Sequence, residues 1–167
     1  MPVTALDGQA AALERLRMLA IERMAGDEVD ADLLIRAGLD AVLAGVDSPS
    51  LGVLAGLGEQ ERSEAAGVFD GVVAELALAP GLGHDPTSDR WTLVRWLARL
   101  VAEDELDAVT GARRLAECWH KLGRPDELTG LASWLGEYDS WCPVWSVPRQ
   151  FYVDRIREEA RRISSPG

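Results

Sequence analysis

Apolar residues recur at every third or fourth position along nearly all of this chain, and each run is bracketed by residues that start or stop a helix. Thr4, with Asp7 three residues on, can cap a first helix carrying Leu6, Leu13, Leu16, Ala20 and Met24, and Gly26 stops it. Asp30 caps a second run of Leu33, Leu34, Ala37, Ala41 and Val42, closed by Gly45. Ser48-Pro49-Ser50 opens a short helix with Leu51, Leu54 and Leu57, since proline is suited to a first helical turn. A fourth helix is predicted from Glu59 to Leu78, with Val68, Phe69, Val72, Val73 and Leu76 inward. Gly67 and Gly71 weaken it unless they permit close packing.

The same grammar resumes after a stretch rich in proline and glycine. Residues 79–87 read as a linker. Beyond it, Trp91, Val94, Leu97, Ala98 and Val101 form one stripe. Asp107 opens the next, with Val109, Ala112, Leu115, Ala116 and Trp119, and Gly123 stops it. Pro125 begins a short helix with Leu128, Leu131 and Leu135, and Pro148 begins a last one with Phe151, Ile156, Ala160 and Ile163. No strand-length alternation of period two interrupts this pattern. The expectation is one all-α domain, 1–167, of about eight helices in two four-helix halves, 4–78 and 88–164.

The halves resemble each other. AGDEVDADLLIR at 25–36 and AEDELDAVTGAR at 102–113 match at Ala25/Ala102, Asp27/Asp104, Glu28/Glu105, Asp30/Asp107, Ala31/Ala108 and Arg36/Arg113. LAGLGE at 54–59 echoes LASWLGE at 131–137 with one residue inserted. An internal duplication of two small helical units is one reading. The other is that carboxylates gather before any helix because they complement its positive end.

Charge excludes some functions and favours others. The net charge is −11, and residues 1–83 carry 14 acidic residues against five arginines, a net of −9. Binding to a nucleic-acid backbone or an anionic membrane surface needs clustered cations, so neither is expected. A basic protein partner is favoured, although net charge also simply keeps a protein in solution. Two cysteines, Cys118 and Cys142, form no disulfide framework, which fits a reducing cytoplasm. The opening residues have no basic segment followed by an apolar core, and no apolar run approaches membrane length.

Catalytic signatures are scarce. Lys121 is the sole lysine, and no phosphate-binding loop, nucleophile elbow or zinc-protease motif occurs. Glu117 and His120 have the spacing of a di-iron ligand pair, but the only other histidine is His84, in the linker. His120 reads more simply as a cation at a helix C-terminus, and Cys118 as a small apolar filler. The acidic turns at 27–32 and 103–107 lack calcium-loop spacing. Neither cofactor nor metal is expected.

The most unusual stretch is Trp134, Tyr138, Asp139, Trp141 and Trp145, within a segment broken by prolines. Such aromatics anchor binding surfaces, and they also fold back as lids with their polar tips in water. All six tryptophans follow residue 90. Together with the acidic turn Asp27, Glu28, Asp30 and Asp32, this stretch is the candidate partner-binding surface. The alternative is a ligand pocket lined by Trp91, Trp96 and Trp119 together with Trp134.

ELDAVTGARRLAECWHKLG followed by RPDELTGLASWLGEYDS, within residues 91–140, resembles uncharacterised small acidic helical proteins of high-GC bacteria. Some of these have the look of immunity proteins for secreted toxins. The resemblance implies an immunity or antitoxin-like inhibitor without catalytic residues. A small-molecule-binding or enzymatic helical domain, and a helical adaptor or homo-oligomer subunit, are the rival readings.

Overall fold

The computed structural model describes residues 5–78 and 85–165, and every regular element among them is helical. In chain order these are α1 (Ala5–Met24), α2 (Ala31–Leu43), α3 (Pro49–Ala55), a 3-10 segment (Glu59–Glu64), α4 (Ala65–Glu75), α5 (Pro86–Ala102), α6 (Ala108–Lys121), α7 (Asp126–Asp139) and α8 (Arg149–Ser164). The proposed cap Thr4 and linker residues 79–84 lie outside the described residues. The chain divides into two compact units, Met1–Asp89 and Arg90–Gly167.

In the first unit α2 packs on α1, α3 and α4, and α4 also meets α1 and α3. Their shared core holds Leu16, Leu34, Leu51, Leu54, Phe69 and Val72, each fully buried. The helix ends follow from local chemistry. Asp30 accepts the Asp32 N–H at 2.7 Å and so caps α2. Gly26 and Gly45 take φ of +91° and +87° to leave α1 and α2, a conformation that costs a glycine nothing.

The expected helix 59–78 is split. Residues 59–64 wind as a 3-10 segment, with the Glu61 carboxylate accepting the Gly58 N–H at 3.1 Å, before α4 proper begins at Ala65. Arg62 on this segment pairs with Asp32 of α2 at 3.0 Å. Across the unit, the Glu75 carboxylate on α4 accepts hydrogen bonds from the Ser48 hydroxyl (2.5 Å), the Ser50 hydroxyl (2.6 Å) and the Ser50 N–H (3.0 Å), fastening the start of α3. Gly71 is needed beneath this contact, because a Cβ there would sit 2.8 Å from the Ser50 Oγ. Gly67 has no such neighbour.

In the second unit α6, α7 and α8 pack pairwise. Val101 of α5 presses on α6 at Gly111, where a Cβ would come within 2.2 Å of it. Asp107 caps α6, accepting from the Thr110 N–H and hydroxyl, both at 2.9 Å. Asp85 supplies the same service for α5, receiving the N–H groups of Thr87 and Ser88. That helix therefore starts at Pro86, two residues before the expected half. α7 continues to Asp139, well beyond the short helix expected after Pro125.

Local features recur between the units at a spacing of 77 or 78 residues. The caps Asp30 and Asp107, and the left-handed residues Gly26 (φ +91°) and Asp104 (φ +58°), stand in equivalent places, as do Gly45 and Gly123 (φ +79°). Leu51 and Leu54 of α3 correspond to Leu128 and Leu131 of α7, all essentially inaccessible. On the second helix of each unit the sizes are exchanged: Leu34 stands opposite Gly111, and Gly38 opposite Leu115. The likeness ends at the LAGLGE and LASWLGE segments. The first leaves its helix at Ala55, while the second runs through the middle of α7.

Two apolar stripes are rotated from their expected phase. In α2 the buried positions are Leu34, Ala37, Gly38 and Ala41, while Leu33 and Val42 are exposed. In α8 Tyr152, not Phe151, joins Ile156 and Ala160 inside. α2 carries apolar residues around much of its circumference, so spacing alone leaves its rotation undetermined, whereas in α8 Tyr152, Ile156 and Ala160 follow one another at the four-residue helical spacing that Phe151 breaks.

Candidate functional site

The aromatic segment begins on α7 and ends on α8, two helices packed side by side. Trp134 is half-buried there, edge-on to Phe151 at 6.1 Å and tilted against Tyr152 at 6.3 Å. Edge-to-face pairs of this kind favour the ring quadrupoles as well as burying area. Tyr138 lies one turn further along α7, and the Arg149 guanidinium stacks over its ring at 4.0 Å. The same guanidinium is 5.8 Å from the Trp141 ring. One cation thus lies against two aromatic faces at the point where the loop rejoins α8.

The loop itself is closed by an indole. Trp141 Nε1 donates to the Val147 carbonyl at 2.8 Å, and the Trp145 N–H donates to the Cys142 carbonyl at 3.0 Å. The base of the loop is therefore braced while its tip is not covered. Val144 is 87% exposed and Trp145 43% exposed. Asp139 is committed elsewhere. It accepts two hydrogen bonds from Arg113 of α6, at 2.7 and 3.0 Å, which hold its carboxyl below the usual range and raise the arginine. Of the five residues expected here, Trp134 packs on Phe151 and Tyr152, Tyr138 and Trp141 share the Arg149 guanidinium, Asp139 ties α7 to α6, and Trp145 is exposed at the loop tip.

The acidic turn of the first unit is largely spent on structure. Asp30 is the α2 cap and Asp32 pairs with Arg62. Asp27 is half-buried and Glu28 exposed. Two of these four carboxylates, Asp30 and Asp32, are thus engaged within the fold.

The alternative pocket residues do not line the recesses of the first unit. One, of about 100 Å³, is bounded by Ala20, Arg23, Met24, Phe69, Asp70 and Val73, and the Arg23–Asp70 ion pair lies on it. The other, about 360 Å³ and open, lies along Leu13, Glu14, Arg17 and Leu76. Trp91, Trp96 and Trp119 are each half-buried in the second unit. Trp119 lies beside His120 at 4.9 Å and under Arg124 at 5.5 Å, and its Nε1 is buried without an acceptor among the described residues. Cys118 is buried, in keeping with a packing role.

Among the described residues no group of three or more histidine, cysteine, aspartate or glutamate side chains is placed to hold a metal ion. No helix among them is long and apolar enough to cross a membrane.

Sequence reasoning passed over two features. Arg149 was not singled out, although an arginine following a run of tryptophans and tyrosine is the kind of signal that marks a stacked cation. On α2, Val42, expected in the buried stripe, is 39% exposed, and Leu39 and Leu43, which that stripe did not include, are 44% and 76% exposed. None of the family models, curated proteins or solved structures compared with the chain matches it.

Proposed function

We propose that this chain acts by binding another protein, as an immunity or antitoxin-like inhibitor does, and that its partner is basic. The observation that carries the reading is the exposed Val144–Trp145 tip on a loop whose base is braced by Trp141 and Arg149. A large aromatic held out on an ordered support loses little entropy when it is covered, and this is what binding anchors share.

The class of partner follows from charge. A net charge of −11, concentrated in residues 1–83, draws basic proteins through the field of the whole molecule, whether or not each carboxylate touches the partner. Such a partner should be captured at low salt and released as salt rises.

Affinity capture from the native host with the full chain tests this. Substituting Val144→Ser together with Trp145→Ala should leave the far-ultraviolet circular dichroism unchanged and abolish recovery of a basic protein. Equal recovery by the substituted chain, or recovery of the wild-type chain alone at low salt, counts against the reading.

A further inference from the structure

The start of α8 runs against helix electrostatics. The first turns of α2, α5 and α7 carry Asp32, Asp89, and Asp126 with Glu127, where carboxylates answer the positive end of a helix dipole. α8 has no acidic residue in its first turn and no side chain capping it, and its first residue is Arg149. A cation at that end is set against the dipole. Arg149 is exposed, and its contacts among the described residues are with rings rather than carboxylates. Asp139 feels its charge but gives both oxygens to Arg113.

The rings against Arg149 belong to two different elements. Tyr138, at 4.0 Å, stands in the last turn of α7, and Trp141, at 5.8 Å, opens the loop. Since Arg149 itself opens α8, one guanidinium joins the helix before the loop, the start of the loop and the helix after it. The Trp141 indole also donates to the Val147 carbonyl, and within that closure the Trp145 N–H donates to the Cys142 carbonyl. A residue that breaks a local rule of its own helix and gains no ion pair by doing so is placed for something other than helix stability.

We infer that Arg149 is the positioning residue of the Val144–Trp145 tip: it clamps Trp141 to Tyr138, so that the tip already has its binding geometry before a partner arrives. The inference rests on the proposed role of that tip, while the clamp itself can be measured without a partner. A loop held in one geometry beforehand loses less entropy on binding. Arg149 acts through Trp141 and need not touch the partner. A cation over a ring at an exposed site is worth about two- to fivefold in an equilibrium constant. That is enough to tighten a loop and too little to hold a helical unit together.

The test compares the full chain with Arg149→Ala, Arg149→Lys and Arg155→Ala by NMR hydrogen exchange at the Trp145 amide and the Trp141 indole N–H, alongside urea unfolding. Arg149→Ala should speed both exchanges about two- to fivefold and leave amides in the middle of α7 and α8 as they are. Its urea midpoint should equal or exceed that of wild type, because the substitution also removes a cation from the wrong end of a helix. Arg149→Lys keeps a cation without the planar guanidinium and should restore part of the protection. Arg155, whose guanidinium lies 4.9 Å from the Phe151 ring and pairs with Glu158, is outside the clamp, so Arg155→Ala should leave both exchanges unchanged. Unchanged exchange in Arg149→Ala overturns the inference. So does a lowered midpoint with exchange rising along α7 and α8, which would make Arg149 a residue of the fold, and so does an equal effect of Arg155→Ala. A tip that loosens as expected in a chain that captures no basic protein would sink the proposed function and leave the clamp standing.

Discussion

Gly111 and Gly67 are helical glycines with opposite surroundings, and replacing each by alanine separates packing from backbone propensity. Alanine is favoured over glycine inside a helix by about 1 kcal/mol. At Gly67 no atom lies within 4 Å of the new Cβ, so Gly67→Ala should stabilise by about 0.5–1 kcal/mol. At Gly111 the Cβ would lie 2.2 Å from Val101 Cγ2 and 3.2 Å from Leu106 Cδ2. Carbon atoms settle about 3.5 Å or more apart, so Val101 would have to retreat by roughly 1.3 Å. A valine in a helix has one strongly preferred rotamer, which leaves movement of α5 away from α6 as the main relief. Overpacking of this sort costs about 1–3 kcal/mol, and so close an approach belongs to the upper half of that range. Set against the propensity gain, Gly111→Ala should lose about 1–2 kcal/mol, placing the two variants about 1.5–3 kcal/mol apart. Guanidinium chloride unfolding measures this directly. Tryptophan fluorescence arises wholly from residues 91–145 and so reports the unit containing Gly111, while circular dichroism reports all the helices. A Gly111→Ala midpoint at or above wild type would refute the packing argument. So would an equal loss on Gly67→Ala.

Two further outcomes follow from the caps. Hydrogen bonds from Ser48 and Ser50 hold the Glu75 carboxyl below its ordinary range. In the acid range the unfolded chain therefore binds the extra proton, so the contribution of Glu75 is complete above the ordinary carboxylate pKa and is lost as pH falls through the folded value. Glu75→Gln should lower the urea midpoint at neutral pH and flatten its decline toward acid; a variant with an unaltered acid limb would contradict this. Asp107→Ala should cost about 1 kcal/mol by leaving the Thr110 N–H without its partner, and Asp107→Ser should recover most of that in the same assay. Asp30→Ala should behave as Asp107→Ala does.

Much of the architecture was legible because helix boundaries are local events. Asp30, Asp107, Gly26, Gly45, Gly123 and Pro49 act within a few residues of themselves, and each does what its chemistry suggests. Helix rotation was harder to read. In ADLLIRAGLDAVL almost any face is apolar, and the choice of Leu34 over Leu33 is made by contact with α1, α3 and α4. The split of 59–78 likewise depends on Glu61 folding back onto the Gly58 N–H and on Arg62 reaching Asp32.

The candidate site was legible as composition and obscure as geometry. Trp134, Tyr138, Trp141 and Trp145 stand out in the sequence. Which of them supports and which projects depends on the Val147 carbonyl, Arg149 and the packing of α7 on α8. Asp139 carried no local sign of its bond to Arg113, 26 residues away.

The exchange of sizes between Leu34 and Gly38 in one unit and Gly111 and Leu115 in the other bears on how the chain reaches its native state. Two helical units made from one polypeptide must sort their segments as they fold, and misassembly between units is a common failure of such proteins. Val101 leaves no room for a side chain at Gly111 of α6, and Leu54 leaves little at Gly38 of α2, so each position accepts a helix that is bare there and resists one that carries a bulky side chain.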